Sequence, residues 1–209
     1  ILFLDELPEF SRAALETLRQ PLEDREVTVS RVEATVTYPA NFQLVAAMNP
    51  CPCGHFPDLA RCRCTEGQIT RYLQKISGPL LDRIDLCVEA SPVTYGDVRG
   101  GGENEASGAI RARVEQAREI QKERFMEENI RCNGEMAGRH IRKYCVLGKE
   151  EETFMEEIFE KLALSARMHD RILKVARTTA DLAGGSKIRL SDLCEAVSYV
   201  KSREKFWGN

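Results

Sequence analysis

Ile1-Leu2-Phe3-Leu4 is an apolar run closed by Asp5-Glu6, a pattern that predicts a buried strand of a parallel sheet with acids at its carboxyl end. From Phe10 to Leu22 the residues Phe10, Ala13, Ala14, Leu15, Leu18 and Leu22 recur at helical spacing, with Ser11 placed to cap the first turn. The period then shortens. Val27, Val29 and Val32, followed by Thr35-Val36-Thr37-Tyr38, predict two β-branched strands around a turn at Glu33-Ala34, a hairpin closed by Pro39. Phe42 to Met48 predicts another buried strand, ending at Asn49-Pro50. A cysteine-bearing loop, a helix from Glu66 to Ser77 and a short strand from Leu86 to Glu89 come next. Gly96 and Gly100-Gly101-Gly102 mark a flexible break. Beyond it the pattern is helical, over roughly 105–128, 137–145, 150–163, 165–183 and 190–203, with Gly184-Gly185 ending one helix and Ser191-Asp192 near the start of the last.

This order, a partial α/β layer, a break and a helical bundle, sits on a chain of 209 residues, long enough for one domain or two modest ones. No apolar run approaches the ~18–20 residues of a membrane-spanning helix, and the opening residues lack the basic start and small-residue cleavage site of a secretory signal. With 30 basic and 33 acidic side chains the formal charge is −3, so any contact with nucleic acid has to be local rather than polybasic. Eight unevenly spaced cysteines are too sparse for a disulfide miniprotein and point to a reducing, cytoplasmic setting. An apolar strand at residue 1, without Met, suggests a chain that opens in the middle of a domain.

Asp5 and Glu6 have a specific chemical use. In nucleotide-hydrolysing α/β domains a strand-end Asp holds Mg²⁺ through its hydration shell, and a neighbouring acid orients the attacking water. Both tasks need carboxylates at the carboxyl edge of a parallel sheet. The plainer reading is two solvated acids at a strand terminus. The matching phosphate-cradling loop, Gly-x4-Gly-Lys-Ser/Thr, is absent: the one Gly-Lys pair, Gly148-Lys149, is followed by Glu150.

Cys51-Pro52-Cys53 and Cys62-Arg63-Cys64 form two Cys-x-Cys pairs eight residues apart. Four thiolates wrap Zn²⁺ tetrahedrally, and Pro52, Gly54 and Pro57 favour a tight loop that a metal organises. Free thiols, a redox disulfide, or His55 replacing one ligand are the alternatives. Four thiolates would leave no open position, so the expected zinc is structural. Cys87, Cys132, Cys145 and Cys194 read as buried hydrophobes, and His140 and His169 lie on helices with no evident partner.

The motifs ILFLDELPEF, EDREVTVSR, TYPANFQLVAAMNPCPCG, RCRC, SGPLLDRIDL and LSARMHDRILKVARTTADLAG, in that order, closely resemble the magnesium-chelatase-like AAA+ proteins, in their ComM/YifB branch, over essentially the whole chain. The resemblance implies an α/β fold: a truncated AAA+ (P-loop NTPase) parallel-sheet core with a β-hairpin before sensor 1, followed by an all-α helical lid. It implies three regions: 1–95 as the C-terminal part of the ATPase core, 96–135 as a glycine-containing linker and long helix, and 136–209 as the lid. The family's Walker A loop precedes Walker B, so ATP binding and hydrolysis belong to a longer protein and this portion is expected to be inactive alone.

By position, Asp5 and Glu6 match Walker B, Asn49 matches sensor 1, Arg83 the arginine finger and Arg167 sensor 2. A guanidinium suits the finger because it stays charged and spreads donors over developing phosphate charge. A salt bridge from Arg83 to Asp82 or Asp85 is the competing reading, and Arg171 competes with Arg167. Arg31, next to the hairpin tip, falls where related ring helicases carry a DNA-contacting basic residue, with Arg25 at the base in support. Pairing of Arg31 with Glu33 or Glu26 is the alternative.

In the helix over Ala106 to Phe125 the basic residues alternate with Glu115, Glu119 and Glu123, which reads as solvated i,i+4 pairing. Lys174 and Arg177 are read as facing solvent or a neighbouring subunit. The expected activity is that of a hexameric, ATP-driven motor on single-stranded or branched DNA, using ATP, Mg²⁺ and structural Zn²⁺. The alternatives are a chelatase-type motor remodelling a protein partner and a zinc-stabilised interaction module.

Overall fold

The computed structural model describes residues 1–91, 93, 95–100 and 105–207. Of the expected glycine break, Gly96 and Gly100 fall instead in a helix, Tyr95–Gly100, and Gly101-Gly102 lie outside the described residues. The chain forms two compact units, one of Ile1–Asp85 with Glu204–Asn209 and the other of Leu86–Arg203.

In the first unit, β1 (Leu2–Leu4) pairs in parallel with β4 (Leu44–Ala46), Leu4 standing opposite Ala46. The rung continues past the strands: Ala47 donates to the Leu4 carbonyl at 2.9 Å, and Leu7 donates to the Ala47 carbonyl at 3.0 Å. The expected buried strand is only half covered. Phe3 and its register partner Val45 are 59% and 40% exposed, because β1 has a single hydrogen-bonded neighbour and no described element packs on that face. The opposite face carries Leu4 into a cluster with Leu7, Leu15, Ile76, Leu80 and Leu81.

The single helix expected over 10–22 is two, α1 (Arg12–Thr17) and α2 (Arg19–Asp24), broken at Leu18. Pro21 has no N–H to give the Thr17 carbonyl, so the α-helical ladder cannot run through. Ser11 caps α1 as expected, accepting from Ala14 N–H at 3.2 Å. The hairpin is β2 (Glu26–Ser30) and β3 (Thr35–Pro39), antiparallel, with Arg31 N–H closing the turn on the Ala34 carbonyl at 2.9 Å. Its pairing puts Val27, Tyr38, Val29 and Val36 on one face and the Thr28–Thr37 and Ser30–Thr35 hydroxyl pairs on the other.

Helix α3 (Glu66–Leu73) begins in a capping box in which Thr65 and Gln68 satisfy each other's backbone N–H, and α4 (Gly78–Leu81) is capped by Ser77. Residues 86–89 are not a strand: no other strand pairs with them among the described residues.

In the second unit, α5 (Tyr95–Gly100) and α6 (Ser107–Arg124) precede α7 (Gly138–Tyr144), α8 (Lys149–Lys161), α9 (Ala166–Leu182) and α10 (Leu190–Trp207), whose last residues belong to the first unit. One contiguous core, including Phe125, Met136, Ile172, Ala176, Leu193 and Val197, runs through it. Arg177 does not face solvent as expected. It is 2% exposed, bonded to Asp181 at 3.1 Å and to the carbonyls of Gly185 and Ser186. Asp181 also receives Arg124 and, at 2.7 Å, the Asn133 amide, so the buried charges are paired and hydrogen-bonded. Arg124 therefore leaves the solvated i,i+4 pairing expected of α6, and the exposed pairs found there have other spacings: Arg113 with Glu105, which precedes the helix, and Lys122 with Glu119 at i,i+3.

Of the remaining thiols, expected to be buried, only Cys145 is fully so, and the imidazoles also differ from expectation. Cys145 is buried, Cys87 and Cys132 are half-buried, and Cys194 is exposed. His140 has partners, accepting from Ala137 N–H at 3.0 Å and lying 3.4 Å from Glu128, while His169 faces Asp170 at 3.4 Å.

Candidate nucleotide and metal sites

The parallel register places Asp5 and Glu6 immediately beyond β1 and Asn49 three residues beyond β4, at the same carboxyl edge. Asp5, Glu6 and Asn49 are all exposed. Asp5 accepts the Glu6 N–H at 2.9 Å, and Glu6 takes a left-handed conformation with φ 51° before the 3₁₀ turn Leu7–Glu9. A non-glycine residue at positive φ costs energy and concentrates where surrounding structure imposes it. Here the imposition comes from Leu7, buried in the apolar cluster and bonded to the Ala47 carbonyl. Two carboxylates and a carboxamide at the same carboxyl edge of a parallel strand pair are residue types that suit hydrated Mg²⁺ and a polyphosphate.

Arg83 follows α4 and is tied to Glu23 by an ion pair and to the Pro79 carbonyl at 2.6 Å. One partner is thus Glu23 of α2, to which local spacing did not point; Glu23 lies 60 residues upstream and no sequence period reaches it. Arg167 lies in the first turn of α9, whose cap Ser165 accepts from Met168 N–H at 3.2 Å, and its side chain is exposed. It belongs to the other unit from Asp5, Glu6, Asn49 and Arg83. Arg31 at the hairpin turn is exposed and has no salt-bridge partner among the described residues, so neither Glu33 nor Glu26 holds it. Arg25, exposed with φ 61°, closes α2 and accepts Ala40 N–H on its carbonyl at 2.7 Å.

The two Cys-x-Cys pairs come together. The ligand atoms of Cys51, Cys53, Cys62 and Cys64 lie within 4.8 Å of one another, and all four are free thiols. Sulfur separations are 3.5 Å for Cys51–Cys53, 3.6 Å for Cys53–Cys62 and 3.8 Å for Cys51–Cys62. Tetrahedral zinc with Zn–S bonds of about 2.3 Å requires sulfurs about 3.8 Å apart, so the spacing fits that ion.

Backbone donors add to the fit. Phe56 N–H points at Cys51 Sγ at 3.4 Å, and backbone hydrogen bonds at Arg63 and His55 hold the Cys53 thiol down at about 6. Burial, together with the neighbouring Cys53 and Cys51 sulfurs, pushes Cys64 up to about 12. Crowded thiols among which Cys53 is held down and Cys64 is pushed up are a situation that a bound divalent cation relieves, because it favours thiolate at every position. Cys51 is fully buried against Ile69, Tyr72 and Leu73, and His55 is exposed outside the cluster.

In chain order these elements are an acidic strand end, a hairpin, a second strand and an arginine-bearing turn ahead of a helical unit. Residues 1–98 match the family described as magnesium chelatase, subunit ChlI, and residues 104–200 match its C-terminal counterpart. The chain belongs to the magnesium-chelatase-like AAA+ family, in the branch that contains ComM and YifB. It is 45% identical over 200 residues to the competence protein ComM of Haemophilus influenzae, covering 95% of this chain and 38% of that protein. Against YifB of Salmonella typhimurium the identity is 45%, and against YifB of Escherichia coli 44%, with the same coverage. The chain therefore spans about two fifths of the length of these relatives (38%). Among the described residues no helix is long and apolar enough to cross a membrane.

Proposed function

We propose that this chain is the C-terminal part of a cytoplasmic, ring-forming ATPase that acts as a motor on single-stranded or branched DNA, in the manner of a branch-migration helicase serving transformation or recombination. The observation that supports the ATPase reading is the placement of Asp5, Glu6 and Asn49 beyond the same carboxyl edge of the β1–β4 pair. Mg²⁺-ATP, when bound, supplies the phosphoryl group and its leaving group. Asp5 holds the hydrated metal, Glu6 orients the attacking water, and Asn49 contacts the γ-phosphate end. Arg83 exchanges its Glu23 carboxylate for phosphate on a neighbouring subunit, and Arg167 ties lid movement to the nucleotide. The four thiols hold one structural Zn²⁺.

The DNA reading rests on the hairpin. Arg31 is a basic residue held at an exposed turn without an internal counter-ion among the described residues, and Arg25 lies at its base. A ring repeats such a residue in every subunit, making a local basic collar on an acidic chain. The name of one relative, competence protein ComM, supports the DNA reading. The family's chelatase description favours a second reading, a motor whose client is a protein.

The test is ATP turnover by the full-length protein with and without branched DNA. Stimulation by DNA, lost in Arg31→Ala, is the expected result. Turnover indifferent to DNA overturns the first reading in favour of the second, and an absence of turnover in the full-length protein overturns both. The 209-residue chain alone is expected to hydrolyse no ATP.

A further inference from the structure

Only Pro50 separates Asn49 from Cys51, the most deeply buried of the four clustered thiols. The chain turns back on itself immediately afterwards, with Gly54 N–H donating to the Cys51 carbonyl at 3.0 Å. Gly54 has φ +78°, a conformation in which a side chain is strained, and its bare face lies against the Asn49 carboxamide. A methyl group there would sit 3.7 Å from Asn49 Oδ1 and 3.8 Å from its Cγ. The glycine turn, whose shape is set by Cys51 and Cys53, thus forms one wall against the Asn49 side chain.

The second thiol pair enters from the other direction. Cys64 leads straight into Thr65, the capping-box residue of α3, and α3 supplies Ile69, Tyr72 and Leu73 to the pocket that buries Cys51. An ion at the cluster would therefore clip the segment after β4 to the start of α3, closing the loop of residues 51–64. Closing such a loop removes chain freedom at its ends, and one end is adjacent to Asn49.

We propose that zinc at Cys51, Cys53, Cys62 and Cys64 positions Asn49 for ATP hydrolysis through the Gly54 turn, so that metal occupancy sets turnover. The four cysteines and Gly54 are positioning residues: they touch neither nucleotide nor water in this account. The proposal rests on the reading of Asn49 as a γ-phosphate contact. It goes further than a structural zinc, because a site that only stabilised the fold would leave the catalytic rate of the surviving folded protein unchanged.

The experiment uses full-length protein, measuring bound zinc by elemental analysis, hydrogen exchange over residues 49–56, and kcat and KM for ATP. Cys64→Ser is expected to lose zinc, to speed exchange over 49–56, and to lower kcat by about tenfold to a hundredfold, the range expected when a reacting geometry slips by about 1 Å, with KM for ATP little changed. Cys64→His, which keeps a ligand for zinc, restores metal and kcat together. Gly54→Ala keeps its zinc and still loses kcat.

If the cysteine variants aggregate, stripping zinc from the parent protein with a chelator and adding it back reads the same coupling, and reversible loss and recovery of kcat supports it. Loss of zinc with kcat unchanged, while Asn49→Ala abolishes turnover, overturns the coupling and leaves Asn49 in its role. Turnover unaffected by Asn49→Ala overturns the reading beneath it. Parent protein purified without zinc, and unable to take it up, overturns the metal site itself.

Discussion

The two units of this chain solve the problem of holding a fold together in opposite ways. The helical unit closes on a single core with a paired polar centre, Arg124–Asp181–Arg177 with Asn133, inside it. The first unit has two small clusters that share Met48 and Trp207, an apolar sheet face left open at Phe3 and Val45, and four thiols packed where more hydrophobic side chains would otherwise be. The residues with candidate chemistry fall mostly in the second kind of structure, on turns and strand ends next to thin cores. Local order there is low in buried apolar contacts, which is where motion and binding are ordinarily drawn from.

The contrast can be broken by mutation. The largest effect is expected from Asp181→Ala, which strands Arg177 and Arg124 in the interior of the helical unit and costs about 3–5 kcal/mol. Chemical denaturation followed by far-ultraviolet circular dichroism, dominated by the helices, checks it. A smaller loss falls on Leu80→Ala, fully buried in the first unit, at about 2–5 kcal/mol with the value near the lower end, because a small cluster collapses more readily around the gap. The only tryptophan, Trp207, packs in that unit and donates to the Leu73 carbonyl at 3.2 Å, so its fluorescence follows this loss. A common midpoint for both signals in both variants would show that the units unfold as one.

The smallest effect concerns Glu128, held down at about 2 by hydrogen bonds from Lys143 (2.8 Å) and Tyr144 (2.9 Å). A carboxylate with a lowered folded-state value contributes stability above its ordinary range, near 4.5, and loses it as pH falls toward about 2. Glu128→Gln should flatten the acid limb of the melting-temperature profile between those values and leave the profile near neutrality parallel to that of the parent. An unchanged acid limb would place the acid sensitivity elsewhere.

Local patterns read well where one element decides its own shape. Ser11 caps the helix it precedes, the β-branched residues from Val27 to Tyr38 form the hairpin, and the helical spacing after residue 105 marks α6 to α10. The paired Cys-x-Cys spacing announced the thiol cluster because its ligands sit close in sequence. The failures have separate causes, some local and some in tertiary partners. Leu86-Cys87-Val88-Glu89 has strand-like composition and no strand beside it, and Pro21 divides a helix whose apolar period runs on unbroken. Arg83 finds Glu23 and Arg177 finds Asp181, and only the first of those pairs is remote; the second stands one helical turn apart and was visible as an i,i+4 pair.

Arg177 spends one planar group on three acceptors at once: a carboxylate on its own helix and two peptide oxygens from the turn that follows it. A lysine there would carry the same charge on a single tetrahedral nitrogen, unable to present that fan of donors. The carbonyls of Gly185 and Ser186 would then lose a protein donor, and the exchange of one cation for another would be felt as a loosened helix end rather than as a lost charge.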